Sequence, residues 1–402
     1  MNLVRFSKVS QRFGLLTLVQ LLTILFPITI YIILISRVSL EKIGQITTWQ
    51  MIFVMLAGVS NFGFPQNLIP ISEKLKTSLK TTASYWNKSL QIRYIVVLFY
   101  FVLLLAFASF LPKIALFSSF LLVARLYNPT SFFYVLSWNT TLLWFHFYTK
   151  LAGLVLVFFF ISEDSWYLTN FWIALAEISV TLPFLIHKKW AFTCTFSKVN
   201  KLLVFIKNQK KLVYIQLVNT LILSVTIPLV HLFFGAQIAG VTAILEKATS
   251  MIRGVSGNLF YAILPHFKLA SKPFMWENIQ KGLNKITYFT VVLFCVSIGL
   301  VLSFEKIITQ KFQEIPMMHY LLIVQIMWFP VMMSTPFQIV CMKKELWNSV
   351  YLFSKIQLVV LVVGLFILGH SFGVWGIVGA ILLPELVSYV VYKNEVKNKP
   401  NQ

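Results

Sequence analysis

Residues 114–161 read IALFSSFLLVARLYNPTSFFYVLSWNTTLLWFHFYTKLAGLVLVFFFI. Two apolar runs, 114–137 and 141–161, follow each other directly here, and each is long enough to cross a bilayer as a helix. Each run holds one cation near its middle, Arg125 in the first and Lys150 in the second. A cation in hydrocarbon costs several kcal/mol unless it faces a polar cavity or a partner. This stretch therefore predicts two adjacent transmembrane helices that border a polar interior.

The rest of the chain has the same character. Of its 402 residues, 58% are hydrophobic and 11% are charged, whereas a soluble domain has roughly 25% charged residues. The basic N-terminus leads into an apolar run that is too long for a signal peptide, so we expect this run to be the first helix. The sequence thus predicts an all-α integral membrane protein. Its twelve predicted transmembrane helices are 13–36, 43–65, 92–111, 114–137, 141–161, 166–186, 212–234, 238–264, 286–304, 317–340, 347–369 and 373–392.

The distribution of Lys and Arg predicts the orientation of these helices. With the N-terminus in the cytoplasm, 24 of the 34 Lys and Arg residues fall in cytoplasmic loops and tails, and 5 fall in outer loops. Because cytoplasmic loops carry the excess of positive charge, we expect both termini in the cytoplasm. The net charge of +22 is spread over these short loops and forms no single patch. We therefore expect no nucleic-acid partner.

A basic loop in the middle of the chain separates two sets of six predicted helices. We predict an N-terminal lobe at 1–186, a basic cytoplasmic loop at 187–211, a C-terminal lobe at 212–392 and a cytoplasmic tail at 393–402. Six helices per lobe keep both lobes in the same orientation, so any repeat would be parallel, about an axis along the membrane normal.

The two lobes share a local pattern. Gly44 in the second helix precedes Gly-Val-Ser at 58–60 by fourteen residues, and Gly240 in the eighth helix precedes the same tripeptide at 254–256 by the same spacing. This match favours two parallel six-helix repeats. An alternative is that both glycines only allow close helix packing.

Two prolines are candidate hinges. Pro27 in the first helix and Pro228 in the seventh interrupt their spans at comparable places in the two lobes. Each removes a backbone hydrogen bond and tends to bend its helix. Such bends would suit lobes that rock against each other, although membrane helices tolerate proline in general.

Charged residues inside the predicted spans carry the functional argument. Five cations face three acids, Glu177, Glu246 and Glu385, which leaves an excess of two positive charges. This excess predicts a central cationic cavity for an anionic ligand such as a phosphate or pyrophosphate, which Arg and Lys bind well. The predicted substrate-binding cations are Arg125, Lys150, Lys247, Arg253 and Lys355.

Two alternatives stay open for individual charges. Glu177 with Arg125 or Lys150 would form a buried ion pair that only holds the first lobe together. Lys355 lies close enough to the start of its helix to extend its ammonium group to the cytoplasmic surface.

The sequence shows no pattern of catalytic or metal-binding side chains. The six His and three Cys residues show no metal-ligand spacing, and Asp164 is the only aspartate. No Gly-rich phosphate loop followed by Lys and Ser or Thr occurs either. We therefore expect no enzyme activity, no cofactor and no metal site.

Short motifs add a resemblance to a known family. The second helix begins near Gly44 and ends in Asn-Phe-Gly-Phe at 61–64. The stretch through the eighth helix reads Phe-Gly-Ala-Gln-Ile-Ala-Gly at 234–240, Glu-Lys at 246–247 and Leu-Pro-His-Phe at 264–267. Together with the predicted arrangement of the helices, these motifs resemble those of the Wzx-type O-antigen flippases of the multidrug/oligosaccharidyl-lipid/polysaccharide (MOP) exporter superfamily. Members of that family often have an acid where the first motif here begins with Asn.

The resemblance implies a substrate and a mechanism. An undecaprenyl-pyrophosphate-linked oligosaccharide would move from the cytoplasmic to the periplasmic leaflet of a bacterial inner membrane by alternating access. The intramembrane cations would bind its pyrophosphate or acidic sugars, and Glu177 or Glu246 would carry a coupling proton or sodium ion. The resemblance also implies contact with the polymerase and chain-length regulator of O-antigen and lipopolysaccharide biosynthesis.

Two other functions stay open at this point. An ion-coupled multidrug exporter would carry cationic compounds through a net acidic lumen, which the excess of intramembrane cations disfavours. A polysaccharide polymerase or ligase would need a large outer loop, and all predicted outer loops are short.

Overall fold

The computed structural model describes five ranges of the chain and a few isolated positions. The described residues are 29–61, 79–136, 138–187, 210–244 and 347–398, with 15, 18, 19, 22, 26, 27 and 246. Every regular element in them is helical, as the all-α prediction requires. Residues 29–37 and 236–244 are helical, and the other helices are α1 (Leu40–Ser60), α2 (Leu79–Ala106), α3 (Lys113–Ser118), α4 (Phe120–Leu126), α5 (Thr130–Leu136), α6 (Asn139–Phe160), α7 (Thr169–His187), α8 (Lys210–Ser224), α9 (Thr226–Phe234), α10 (Trp347–Phe372) and α11 (Val374–Asn398).

Several of these helices are long and apolar enough to cross a membrane. The described part of the chain contains six such spans, which makes the protein a multi-pass membrane protein. They are Leu40–Ser60, Thr81–Ala106, Thr140–Phe160, Trp166–Ile186, Asn348–Phe372 and Val374–Tyr392. The predicted spans 286–304 and 317–340 lie outside the described residues, so the count of twelve helices stays a prediction.

The third predicted span has the wrong start. It was expected to begin at residue 92, whereas α2 begins at Leu79. The first turns of α2 contain polar residues, which is why their hydropathy indicated a loop. Three residues of these turns, Thr82, Trp86 and Ser89, are at most 1% exposed. Because they face protein and not lipid, a membrane-embedded helix accommodates them.

The fourth predicted span is broken into the three short helices α3, α4 and α5. Ser119 separates the first two, and its hydroxyl donates to the carbonyl of Leu116 (2.6 Å). Pro129 has no N–H and disfavours a helical conformation at the residue before it, so α4 ends ahead of it. The side chain of Asn128 then accepts from the amide of Thr130 (3.0 Å) at the start of α5. The predicted span 114–137 is therefore helical but broken at Ser119 and before Pro129.

The seventh predicted span is also interrupted. α8 ends at Ser224, and α9 starts at Thr226 after one bent residue. Pro228 cannot donate a hydrogen bond to the carbonyl of Ser224, which lies at this break. A hinge at Pro228 would need such an interruption of the helix. Movement of the helices at Pro228 and at Pro27 stays a prediction.

The chain forms two compact units, Leu21–Val241 and Met1–Gln20 with Thr242–Gln402. In the first unit α1 is central, since it packs against α3, α4, α7, α8 and α9. A buried apolar cluster joins α1, α4 and α7 through Phe53, Leu121 and Ala174. This packing holds α4 and α7 together near Arg125, in the last turn of α4, and Glu177, near the middle of α7.

Polar contacts fasten the end of the first unit that is predicted to face outward. The guanidinium of Arg37 donates to the carbonyls of Phe158 (2.5 Å) and Ile161 (2.7 Å) at the end of α6. Lys42, in the first turn of α1, forms an ion pair with Glu163 at 3.3 Å. These contacts tie the start of α1 to the turn between α6 and α7.

In the second unit, α10 and α11 form an antiparallel pair. Gly373 joins them in the left-handed region (φ +57°), which is the usual way for glycine to end a helix. The two helices pack closely where a Cβ on Gly364 would lie 3.3 Å from that of Ala380. A buried hydrogen bond from Gln357 to Ser388 adds a polar contact between them.

Candidate functional site

The central contact of the candidate site is an ion pair between α4 and α7. Arg125 lies in the last turn of α4, and one of its terminal nitrogens lies 3.2 Å from a carboxylate oxygen of Glu177. The Glu177 side chain is 6% exposed, whereas that of Arg125 is 38% exposed. The alternative left open by the sequence, a pair between Glu177 and one of the two nearby cations, is therefore present. One of the five predicted cavity cations has a protein acid as its partner.

Two further polar side chains come from α6. His146 and Lys150 are one helical turn apart, and the charges of both Lys150 and Arg125 act on the imidazole. One turn further, a Cβ on Gly153 would lie 3.7 Å from that of Ala176 on α7. This contact packs α6 against α7 one turn from Lys150 and next to Glu177 in the chain. We call the set Arg125, His146, Lys150 and Glu177 the charge cluster.

Several atoms of the charge cluster lack hydrogen-bond partners. Among the described residues, none satisfies Oε2 of Glu177, Nε of Arg125 or Nε2 of His146, although all three atoms are buried. An unmet hydrogen bond at a buried polar group costs about 1–3 kcal/mol, and more for a charged one. The cluster therefore offers unused hydrogen-bond donors and acceptors to a ligand, a water molecule or a proton.

Arg93 is a buried cation that the sequence analysis placed in a cytoplasmic loop. It lies inside α2, is 2% exposed, and its guanidinium donates to the carbonyls of Leu126 (3.0 Å) and Asn128 (3.2 Å). These carbonyls lie at the end of α4, where the break before Pro129 leaves them without helical partners. A cation at the C-terminal end of a helix also interacts favourably with the helix dipole. The Arg-carbonyl contact thus explains both the burial of Arg93 and the abrupt end of α4.

The charges inside these helices do not balance. Between residues 81 and 187, all described except 137, the helices carry three buried or half-buried cations, Arg93, Arg125 and Lys150, and one buried acid, Glu177. Arg93 is bonded to neutral carbonyls, so its positive charge is not neutralised by an acid there. The interior of this part of the first unit is therefore net positive even with the Arg125–Glu177 pair formed.

Of the remaining predicted site residues, Lys355 and Glu246 are among the described residues of the second unit. Lys355 is half-buried in α10 of the second unit, and its ammonium lies 4.3 Å from the ring centroid of Tyr351, one turn nearer the helix start. Whether Lys355 binds substrate or extends to a membrane surface stays a prediction. Glu246 is helical and half-buried. Lys247 and Arg253 lie outside the described residues.

The two glycines that matched in sequence contact each other within the first unit. A Cβ on Gly44 would overlap the carbonyl oxygen of Ala236 and lie 2.9 Å from the amide nitrogen of Gly240. One turn along α1, Thr48 shares a 2.8 Å hydrogen bond with Nδ1 of His231 on α9. Close helix packing at both glycines is therefore confirmed, and the parallel repeat stays a prediction. Among the described residues, no group of three or more His, Cys, Asp or Glu side chains is arranged to hold a metal ion.

Solved structures with the same fold cover almost the whole chain. The MATE multidrug transporter DinF-BH is 12% identical and superposes with a TM-score of 0.68, over 98% of this chain and 96% of its own. An outward-facing multidrug resistance MATE family transporter of the MOP superfamily is 12% identical with a TM-score of 0.65, over 97% and 96% of the two chains. A mutant of the Vibrio cholerae MATE transporter VcmN is 13% identical with a TM-score of 0.57, over 98% and 99%.

These likenesses define the fold. The chain has the fold of these MATE transporters. At this level of identity the likeness shows the fold alone. No protein-family model and no curated protein matches the chain by sequence.

Proposed function

We propose that this protein is a transporter of the MOP superfamily that flips an undecaprenyl-pyrophosphate-linked oligosaccharide from the cytoplasmic to the periplasmic leaflet. The observation that carries this proposal is the net positive interior of the described helices between 81 and 187, with three buried or half-buried cations and one buried acid. An anionic headgroup is the cargo that such an interior attracts, and the lipid tail of such a cargo would stay in hydrocarbon. The fold shared with MATE transporters supports a transport function without covalent chemistry.

In this proposal Arg125 and Lys150 bind the pyrophosphate. A guanidinium offers two parallel N–H donors to phosphate oxygens, and an ammonium adds a point charge. Arg125 is suited to this role because its side chain is 38% exposed even with the ion pair formed. Lys247, Arg253 and Lys355 would contribute from the second half of the chain, as the sequence predicts.

The same proposal includes the membrane in which the protein lies, its partners and its coupling acid. Its membrane is the bacterial inner membrane, with both termini in the cytoplasm, and alternating access uses hinges at Pro27 and Pro228. The polymerase and chain-length regulator of the same polysaccharide are its proposed protein partners, and Glu177 or Glu246 is its proposed ion-coupling acid.

A second candidate function is ion-coupled export of drugs. It is favoured by one finding, that the solved structures of this fold include multidrug transporters. Against it stands the charge of the interior, because in the described helices between 81 and 187 a cationic drug would meet Arg93 and Lys150 with one buried acid, Glu177, to attract it.

Transport in liposomes tests the two functions side by side. Purified protein is reconstituted with a fluorescent undecaprenyl-pyrophosphate-linked oligosaccharide, and quenching from outside measures how fast the label changes leaflet. We expect Lys150→Gln to slow flipping about tenfold or more, since a hydrogen bond to a charged group contributes about 1.5–3 kcal/mol. Lys42→Gln, at the outer surface, is the matched control and should flip at the wild-type rate.

Arg125 needs a double variant, because removing it alone leaves Glu177 buried without its cation. Arg125→Gln with Glu177→Gln removes both charges, and we expect the same slow flipping. Wild-type rates in the Lys150 variant and the double variant would refute the anion-binding role. Movement of a cationic dye, with none of the lipid-linked sugar, would establish the drug exporter instead. In cells, charge reversal at Lys247 or Arg253 should reduce surface polysaccharide.

A further inference from the structure

We propose that Arg93 and Tyr94 of α2 are positioning residues for Arg125, one of the cations that bind the pyrophosphate in the proposed function. This inference rests on the proposed function and deepens it, because it identifies what holds the binding side chain in place. It follows from one juxtaposition in the described residues: two consecutive side chains of α2 contact each of the three residues that follow Arg125.

Arg125 lies at the end of a helix, where the backbone is least supported. It is in the last turn of α4, which ends at Leu126, and the last carbonyls of a helix have no partners within the helix. Tyr127 already leaves the helical conformation (φ −91°, ψ 0°), and α5 begins only after Pro129. Unless groups from elsewhere hold this turn, it opens, and the side chain of Arg125 moves with it.

Arg93 and Tyr94 hold this turn from α2. The guanidinium of Arg93 donates to the carbonyls of Leu126 (3.0 Å) and Asn128 (3.2 Å). Between these two residues, Tyr127 shares a hydrogen bond between its hydroxyl and that of Tyr94. The two tyrosine rings pack edge to face, with their centroids 5.9 Å apart. Side chains of a second helix therefore reach all three residues that follow Arg125.

The same face of α2 extends across the break between α4 and α5. Trp86, two turns before Arg93, is fully buried, and its ring packs against that of Phe132 on α5, with the centroids 5.3 Å apart. Val97, one turn beyond Arg93, belongs to the buried apolar cluster that includes Leu121 of α4. The spacing i, i+7, i+11 places these three residues of α2 on one side of the helix. α2 therefore supports the broken span at the break and on both sides of it.

Arg125 is thus held by two different helices. Its backbone is supported by α2 through the residues that follow it, and its guanidinium lies 3.2 Å from the carboxylate of Glu177 on α7. An anion that binds the guanidinium takes it from Glu177, whereas the support from α2 does not depend on that ion pair. Arg125 therefore stays in place for the headgroup when the ion pair opens. Binding then requires no ordering of the helix end, which would lower the affinity.

Calorimetric titration of the purified protein with inorganic pyrophosphate tests the positioning role. Tyr94→Phe removes the hydroxyl that contacts Tyr127 and changes no charge, so a lower affinity cannot come from the electrostatic field at the site. We expect Tyr94→Phe to bind pyrophosphate roughly 2- to 10-fold more weakly than wild type, the equilibrium effect of one neutral hydrogen bond. Arg93→Lys keeps the positive charge but loses the planar donor geometry of the guanidinium, and we expect at least the same loss of affinity.

Two control variants separate positioning from general stability. Tyr100→Phe makes the same chemical change six residues further along α2, where the ring packs on the apolar cluster, and it should bind like wild type. Thr48→Val removes a single hydrogen bond elsewhere in the first unit, to His231 on α9, and should lower the Tm without changing the affinity. A loss of affinity in either control as large as in Tyr94→Phe would show that binding follows stability alone and would overturn the inference.

The action through Arg125 has a test of its own. In the double variant Arg125→Gln with Glu177→Gln, we expect Tyr94→Phe to cause no further loss of affinity, because the side chain that it positions is gone. A further loss as large as in the wild-type background would contradict the inference. Hydrogen exchange measured by mass spectrometry needs no ligand: amides of residues 120–128 should exchange faster in Tyr94→Phe than in wild type. An unchanged exchange rate there also decides against the positioning role.

The outcomes distinguish this inference from the proposed function. Absence of pyrophosphate binding in wild type overturns the anion site itself, and the positioning role with it. Binding in wild type, with equal affinity in Tyr94→Phe and Arg93→Lys, overturns the positioning role and leaves the anion site standing. If Arg93→Lys does not fold, Tyr94→Phe decides alone.

Discussion

Substituting Gly44 by alanine tests the close helix crossing in the first unit. A Cβ at this position would overlap the carbonyl oxygen of Ala236 and lie 2.9 Å from the amide nitrogen of Gly240. Both neighbours are backbone atoms, which cannot rotate away as the end of a flexible side chain can. The helices must therefore separate, and the packing that holds membrane helices together at small residues is lost.

The expected cost of Gly44→Ala is about 2 kcal/mol. Overpacking costs about 1–3 kcal/mol, and rigid backbone neighbours place this site in the upper part of that range. Alanine recovers up to about 1 kcal/mol, because it is a better helix former than glycine. A domain of 150–250 residues loses roughly 2–4 °C of Tm for each kcal/mol, so we expect a Tm about 4–8 °C below that of wild type.

Gly153→Ala is the matched control for this prediction. It makes the same chemical change inside a helix, but its Cβ would lie 3.7 Å from that of Ala176, an ordinary contact. We expect Gly153→Ala to be neutral or to raise the Tm slightly, for the helix-propensity reason alone. Thermal unfolding of both variants in the same detergent, followed by tryptophan fluorescence, gives the comparison. If Gly44→Ala is as stable as Gly153→Ala, the argument from the helix crossing is wrong.

Three further substitutions test other contacts of the first unit. Arg93→Gln should lower stability by about 1–3 kcal/mol, because two buried carbonyls lose their donor; a Tm equal to that of wild type would contradict this. Thr48→Val removes the hydroxyl that His231 contacts while keeping the shape, and we expect a loss of about 0.5–1.5 kcal/mol in the same melting assay. Lys42→Ala should change stability by less than about 1 kcal/mol, since its partner Glu163 is exposed; a larger drop would show that the outer ion pair matters more than its exposure implies.

Much of the fold follows from hydropathy, but helix ends and breaks do not. The apolar runs at 141–161, 166–186 and 347–369 predicted helices within a few residues. The start of α2 at Leu79 was missed because its polar first turns are buried against protein, and a hydropathy window cannot distinguish protein from water as their surroundings. Pro129 was visible in the sequence, yet the three-way break of the fourth span also depends on the hydrogen bonds of Ser119 and of Arg93.

The candidate site was predicted in part. Arg125, Lys150 and Glu177 stood out because each lies near the middle of an apolar run, and the ion pair between two of them was one of the alternatives. Arg93 was missed because it lies one residue inside the predicted start of a span and counted as a loop residue. His146 gave no signal, since a single histidine in an apolar helix acquires meaning only when the packing of α6 on α7 is known.

The most direct measurement of the central claim is a map of where the headgroup contacts the protein. A photoreactive undecaprenyl pyrophosphate, with its probe next to the phosphates, is crosslinked to the reconstituted protein, and labelled peptides are identified by mass spectrometry. We predict labels within one helical turn of Arg125 on α4 and Lys150 on α6, and weaker labelling in Lys150→Gln. Labels confined to the exposed apolar face of α2, with none on α4 or α6, would contradict a cationic interior that binds the headgroup.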